Sequence, residues 1–104
     1  MDKNNLEVIN NADKKRFEVA VEGKVAFAEY MLAGKQFVLT HTEVPEALEG
    51  QGIGSLLAKA ALGHAREHEL KVLPICPFMA AYIRRHPEYQ PLVFGYKPPA
   101  DKAA

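Results

Sequence analysis

Glycine is more concentrated between residues 50 and 54 than anywhere else in the chain, in the run Gly50-Gln51-Gly52-Ile53-Gly54. Glycine at 50, 52 and 54 permits positive φ and lets a ligand approach the main chain closely. A strand-like segment, Gln36–Thr42, precedes this run, and apolar residues recur at helical spacing from Ile53 to His68 after it. A strand, a glycine loop and a helix in this order predict an α/β fold.

The part of the chain before Pro45 is dominated by β-branched and aromatic residues that alternate with polar ones, as in β-strands. Short loops between these runs predict antiparallel neighbours. The uninterrupted apolar centre of the last run predicts a central strand that is buried on both faces. The four predicted strands are Leu6–Ile9, Phe17–Val21, Lys24–Tyr30 and Gln36–Thr42.

The segments after the long helix are shorter. Leu70–Ile75 is typical of a further strand, and Phe78–Arg85 is typical of a short helix with Pro77 in its first turn. Pro87 ends that helix, and Leu92–Tyr96 is a last candidate for extended structure.

A length of 104 residues with 13 basic and 13 acidic side chains accommodates a single hydrophobic core. We expect one domain over residues 1–97 and a flexible tail over 98–104. A formal charge of zero argues against nucleic-acid and anionic-membrane partners, since both attract an excess of positive charge. No apolar run is long enough to span a bilayer and the amino terminus is too polar for a secretory signal, so a cytoplasmic location is expected.

The strand–loop–helix unit predicts an anion site, because the first N–H groups of a helix have no intrahelical partner and point towards one spot. The run lacks the Lys-Ser/Thr ending of a P-loop and the spacing of a dinucleotide loop, which argues against nucleoside triphosphates and NAD. The alternative interpretation is that the three glycines simply make a turn.

These residues resemble the GCN5-related N-acetyltransferase family, whose signature Gln/Arg-x-x-Gly-x-Gly/Ala opens a helix after a central strand. Glu49-Gly50-Gln51-Gly52-Ile53-Gly54 occupies that signature, with Glu49 in place of Gln or Arg. The chain is most similar to a small single-domain subgroup, through His41-Thr42-Glu43-Val44-Pro45 and Cys76. The resemblance extends from Phe17 to Pro91 and implies a minimal acyltransferase fold, in which two helices flank a central mixed β-sheet.

The resemblance implies acetyl-CoA as the cofactor and an unidentified amine as the acceptor. The pantetheine arm would lie between Phe37–Thr42 and Lys71–Ile75, with the pyrophosphate on the loop amides, and Glu49 is expected to point to solvent because a carboxylate repels phosphate. The implied cofactor-binding residues are Val44, Gly50, Gln51, Gly52, Ile53, Gly54, Ser55, Cys76 and Pro77.

Three side chains are candidates for the chemistry. Tyr82 resembles the family tyrosine that protonates the coenzyme thiolate. His41 shares a strand face with Glu43, either side chain is a candidate proton acceptor, and His41 is favoured because histidine is the natural base at neutral pH. Cys76 precedes a helix whose amino terminus stabilises a thiolate, so it is a candidate to carry the acetyl group in a ping-pong route.

Each of these candidates has a structural alternative. Tyr82 and His41 are open to ordinary packing roles, and Cys76 to that of a small buried hydrophobe. Arg84-Arg85-His86 is either a helix-end charge cluster or a contact for the coenzyme 3′-phosphate. His64 and His68 share a helix face without a third ligand, so no metal site is predicted, as the lone cysteine predicts no disulfide.

Two functions therefore remain open for the whole chain. One is an N-acetyltransferase, and the other is a non-catalytic acetyl-CoA sensor or adaptor. We expect a monomer or a weak homodimer in either case.

Overall fold

The structure is a computed structural model that describes residues 6–98. Its strands and helices follow the order β1 Ile9–Asn11, β2 Arg16–Val21, β3 Lys24–Ala33, β4 Gln36–Glu43, α1 Ile53–Glu67, β5 Lys71–Pro74 and α2 Pro77–Arg85. Short 3₁₀ turns lie at Glu46–Leu48 and Pro87–Leu92. The part of the predicted tail beyond Pro98 lies outside the described residues.

The strands form one five-stranded sheet in the order β1-β2-β3-β4-β5. The first four pair antiparallel through short turns, and β4 and β5 pair parallel because α1 carries the chain back between them. The mixed sheet with two helices that the sequence predicts is therefore confirmed.

The core lies between the sheet and the helices. Alternate residues of the strands are buried on the helix side, among them Val19, Ala28 and Phe37. Leu57, Ala61, Leu62 and Ala65 of α1 are fully buried against them at helical spacing. The alternating apolar residues of the strands and the helically spaced apolar residues of α1 thus form one shared apolar layer.

Burial of β4 differs from the expectation. Phe37 and Leu39 are buried, but Val38 and Thr40 between them are only partly covered. Helix α1 packs on the Phe37 face, where the His64 and Phe37 ring centroids are 5.5 Å apart, and on the other face Val25 and Met31 of β3 are exposed. The strand is also fourth of five rather than central, because only β5 lies beyond it.

Three boundaries also differ. The first strand forms at Ile9–Asn11 rather than at Leu6–Ile9, and β3 continues to Ala33 rather than ending at Tyr30. The expected last extended segment, Leu92–Tyr96, is reduced to a single parallel bridge between Val93 and Val72. Gly95 has φ +80, which turns the chain away from the sheet directly afterwards.

Candidate coenzyme site at the separation of two parallel strands

A β-bulge divides β4 into two halves. Glu29 of β3 pairs with His41 and Tyr30 pairs with Leu39, so Thr40 is the extra residue of β4. The parallel pairing with β5 ends at the same level, at Leu39 and Pro74. Beyond it, among the described residues, the segment 40–43 has a strand partner only on its β3 side.

The chain after β5 turns away at this level rather than following β4. The Cys76 N–H donates to the Leu39 carbonyl at 2.9 Å, which is the last backbone contact between the two segments. Pro77 then starts α2 directly, since proline is preorganised for the first helical position. A cleft therefore opens between the second half of β4 and the first turn of α2.

The glycine loop lies at the mouth of this cleft. Gly50 and Gly52 have φ +83 and +77, and Gly52 is the N-cap of α1 with no side-chain cap. Within residues 6–98, the N–H groups of residues 50–55 have no hydrogen-bond partner, and the first paired one is that of Leu56. This run of unpaired donors at a helix N-terminus favours an anionic ligand.

A cavity of about 460 Å³ joins the loop to the end of β4. Its walls come from the end of β4 and the segment after it, the 3₁₀ turn, the glycine loop, α1 and α2. The lining residues are Thr42, Glu43, Val44, Leu48, Glu49, Gly50, Ile53 and Phe78. Of the predicted cofactor-binding residues, Val44, Gly50 and Ile53 line it.

Gly54 has a different structural reason to be glycine from that of the two other glycines in the loop. Its φ is not positive, but a Cβ at this position would lie 2.8 Å from Cζ of Phe78. The absence of a side chain lets the Phe78 ring approach α1 and form a wall of the cavity. The interpretation of Gly54 as a positive-φ residue is therefore wrong, and Phe78 is a lining residue that the sequence analysis missed.

The charged residues of the cavity wall are acidic. Glu43 and Glu49 line it and no lysine or arginine does, within the described part of the chain. Glu49 is exposed and also lines the cavity, so its expected orientation towards solvent stays a prediction. Within this part of the chain, the groups suited to attract an anion are the backbone N–H groups of the loop and the α1 dipole.

Cys76 lies at the closed end of the cleft. It is the N-cap residue of α2 and is 4% exposed. Its Sγ donates to Oγ1 of Thr42 at 3.4 Å, which links α2 to the second half of β4. Thr42 also lines the cavity, so one residue separates the thiol from the open space.

Tyr82 is fully buried on α2, one turn after Phe78. Its hydroxyl oxygen is enclosed and has no hydrogen-bond partner among the described residues. Burial raises the pKa of Tyr82 above its usual value, with smaller contributions from Tyr89 and Glu88. A buried phenol that retains its proton is suited to donate it to a strongly basic group.

His41 does lie on one face with Glu43, and its Nε2 is 3.2 Å from Oε1 of that carboxylate. However, the bulge at Thr40 changes which residues face the core, so Thr42 points inward and His41 points to the other face. The His41 side chain is 55% exposed and does not line the cavity. The structure therefore does not bring His41 together with Cys76 and Tyr82.

The remaining predicted residues do not line the main cavity. Gln51 lines a neighbouring cavity of about 120 Å³ beside Leu48. Ser55 and Gly52 contribute main-chain N–H groups, and Pro77 starts α2. Arg84 and Arg85 are exposed in the last turn of α2.

Residues 6–98 contain neither a metal-binding cluster nor a membrane-spanning helix. No group of three or more His, Cys, Asp and Glu side chains is placed to hold a metal ion. None of the helices in this range has the length and apolar content needed to cross a membrane.

Comparison with known proteins agrees with this geometry. A family model described as GCN5-related N-acetyl-transferase matches residues 16–92. Protein NATD1 of Gallus gallus is 36% identical over 85 residues, covering 79% of this chain and 77% of that protein. Protein NATD1 of Homo sapiens has the same identity over 85 residues and is covered to 75%.

A solved structure extends the agreement to the backbone. The NMR solution structure of a GCN5-like protein from Staphylococcus aureus superposes with a TM-score of 0.71 and 29% sequence identity. The alignment covers 89% of this chain and 92% of that one. The region that the family model matches contains strands β2 to β5, the glycine loop and both helices. The chain belongs to the GCN5-related N-acetyltransferase family.

Proposed function

We propose that the chain is an acetyl-CoA-dependent N-acetyltransferase that acts on an amine. The proposal rests on one observation. The open edge of β4 at 40–43 and the unpaired N–H groups of residues 50–55 are joined by a single cavity. A ligand with an amide-containing arm and a pyrophosphate matches both, since the arm can pair with a strand edge and the phosphates with the loop.

The residues present fit an acyl-coenzyme A. Loop amides from Gly50 to Ser55 would hold the pyrophosphate, and Val44, Ile53 and Phe78 would contact the arm. When bound, acetyl-CoA supplies an activated acyl thioester. The acidic walls of Glu43 and Glu49 would favour a cationic amine over an anionic acceptor.

Tyr82 is proposed as the acid of the reaction. Its buried hydroxyl has no partner within the described residues, so it is available to donate its proton to a thiolate. Replacement by phenylalanine removes that proton while it retains the ring. We expect Tyr82→Phe to lower kcat with an unchanged Kd for coenzyme A, measured by steady-state kinetics and calorimetry.

Cys76 offers a second route, in which its sulfur accepts the acetyl group before the amine does. Its position beside Thr42 at the closed end of the cleft supports this role. Intact mass spectrometry after mixing with labelled acetyl-CoA should show an acetyl adduct that Cys76→Ser lacks while it still binds coenzyme A. Unchanged amine turnover in Cys76→Ser would instead establish direct transfer.

Ligand specificity tests the site itself. Coenzyme A and acetyl-CoA should each stabilise the fold, by about 2.7 kcal/mol at a concentration 100 times the dissociation constant. Thermal unfolding with each coenzyme and with ATP, side by side, measures this. Equal stabilisation by ATP would indicate a general phosphate site and would contradict the proposal.

One observation favours the second candidate, a non-catalytic acetyl-CoA sensor. The Cys76 sulfur and the Tyr82 hydroxyl are both buried and neither residue lines the cavity. A sensor would bind acetyl-CoA without forming an acetyl adduct and without turnover of any amine. Binding combined with the absence of both products would therefore favour the sensor.

A further inference from the structure

Three rings follow one another along α2 and its end. Phe78, Tyr82 and His86 are spaced by four residues, so they lie on one side of the helix. The Phe78 and Tyr82 ring centroids are 6.5 Å apart at an interplanar angle of 30°. The Tyr82 and His86 centroids are 3.9 Å apart at 17°, which is close face-to-face stacking. We call Phe78, Tyr82 and His86 the aromatic column.

The His86 ring is held in place by the backbone of the same helix. Its Nδ1 lies 2.8 Å from the carbonyl oxygen of Tyr82, a distance at which a neutral imidazole protonated at Nδ1 donates a hydrogen bond. This contact fixes the plane of His86 over Tyr82. His86 is half-buried, and one face of its ring covers the phenol ring.

The opposite end of the aromatic column reaches the coenzyme cavity. Phe78 lines that cavity and is 36% exposed, and its ring rests against Gly54 of α1. Tyr82, between the two outer rings, is 1% exposed. A third ring beside Tyr82 is that of Tyr89 from the 3₁₀ turn, whose centroid is 6.0 Å from that of Tyr82.

We propose that Phe78 and His86 are positioning residues that hold Tyr82 in one buried orientation, with its hydroxyl shielded from water. The inference rests on the proposed role of Tyr82 as the acid and adds the residues through which that role is maintained. His86 holds Tyr82 buried mainly by stacking and not by its hydrogen bond. Its ring covers a face of the phenol that would otherwise meet solvent.

The first test measures Tyr82 without any reaction. The pKa of Tyr82 is followed by the NMR resonance of its labelled Cζ, which Tyr82→Phe identifies by its loss. We expect His86→Ala to lower this pKa towards the usual value, and His86→Phe to keep it raised, since phenylalanine retains the stack but not the hydrogen bond. Phe78→Ala should lower it less, because that ring is further away.

A matched control comes from the other helix. His68 lies at the end of α1, where its Nδ1 is 2.9 Å from the His64 carbonyl and its ring is 4.1 Å from that of His64. His68→Ala thus removes the same kind of cap and stack far along the chain from Tyr82. It should leave the pKa of Tyr82 unchanged. Tyr89 and Glu88, which also raise the pKa of Tyr82, are retained in every variant, so the comparison between variants is made with both groups present.

The second test measures acyl transfer to an amine. His86→Ala should reduce kcat at least about tenfold, equivalent to about 1.4 kcal/mol of barrier, with KM for acetyl-CoA unchanged, and His86→Phe should restore most of it. An unchanged pKa of Tyr82 in His86→Ala, or a failure of His86→Phe to restore it, would overturn the role of the column. Absence of turnover in the unmodified protein would contradict the proposed function, while the NMR measurement would still decide the present inference.

Discussion

The two ends of α1 are built for different purposes. At its N-terminal end the loop is exposed, has two glycines at positive φ and presents N–H groups without protein partners among the described residues. At its C-terminal end the His64 ring centroid is 5.6 Å from that of Phe17 and 5.5 Å from that of Phe37. The His68 ring contacts the His64 carbonyl. The N–H groups at one end are unpaired within the described residues, whereas the His64 and Ala65 carbonyls at the other end accept hydrogen bonds from within the fold.

This difference separates binding from stability along a single helix. Substitutions at the first end should change coenzyme affinity, whereas substitutions at the second should change the free energy of unfolding and its dependence on pH.

Gly52→Val should have the largest effect. A branched residue at φ +77 is strained by roughly 1–2 kcal/mol or more, and relief of that strain would reorient the loop N–H groups. We expect coenzyme A affinity to fall by more than about tenfold, measured by calorimetry. Gly34→Val is the matched control, because Gly34 has φ +61 in the β3–β4 turn and its Cβ would also meet open space. Equal affinity in the two variants would contradict the division.

Gly54→Ala should have a smaller effect, whose sign depends on Phe78. Overpacking commonly costs about 1–3 kcal/mol, whereas alanine in a helix is favoured over glycine by roughly 0.5–1 kcal/mol. Because the added Cβ would lie 2.8 Å from the Phe78 ring, we expect a net destabilisation in the natural background. In a Phe78→Ala background the same change should stabilise. Urea unfolding of the four proteins measures this coupling, and additive effects would argue against the contact.

The C-terminal end should give the smallest effect, visible as pH dependence. Burial lowers the pKa of His64 below 6.5, repulsion from His68 lowers it further and Glu67 opposes them. The unfolded chain then binds more protons than the folded one, so stability is full above pH 6.5 and is lost as the pH falls below it. His64→Phe should weaken this loss, measured by urea unfolding between neutral and mildly acidic pH. An identical pH dependence in the variant would show that another group is responsible.

Much of the fold follows from local patterns. Alternation and helical spacing predict β2, β4, α1 and α2 within a few residues, because burial on one face imposes those periods. The position of His41 could not be predicted in this way. Alternation counted from Phe37 and Leu39 places it inward, but the unpaired Thr40 reverses the pattern, and a bulge depends on the partner strand.

The candidate site shows the same limit. The glycine loop is a local signal, and the sequence predicts its position and two of its positive-φ residues. The role of Gly54 depends on a ring 24 positions away, and that of Phe78 depends on where α2 packs. Contacts between segments distant in sequence produce no periodic pattern in the sequence. The roles of these two residues could therefore be recognised only from the structure.

The extra residue at Thr40 has a consequence for comparing relatives of this chain. If an alignment places a one-residue gap on the wrong side of Thr40, it exchanges the positions assigned to Thr42 and His41. A residue that faces the cleft is then aligned with one on the opposite surface. Two homologues with identical letters in this strand can therefore present different side chains to the ligand. Gap placement at this point decides which residue an evolutionary comparison assigns to the site.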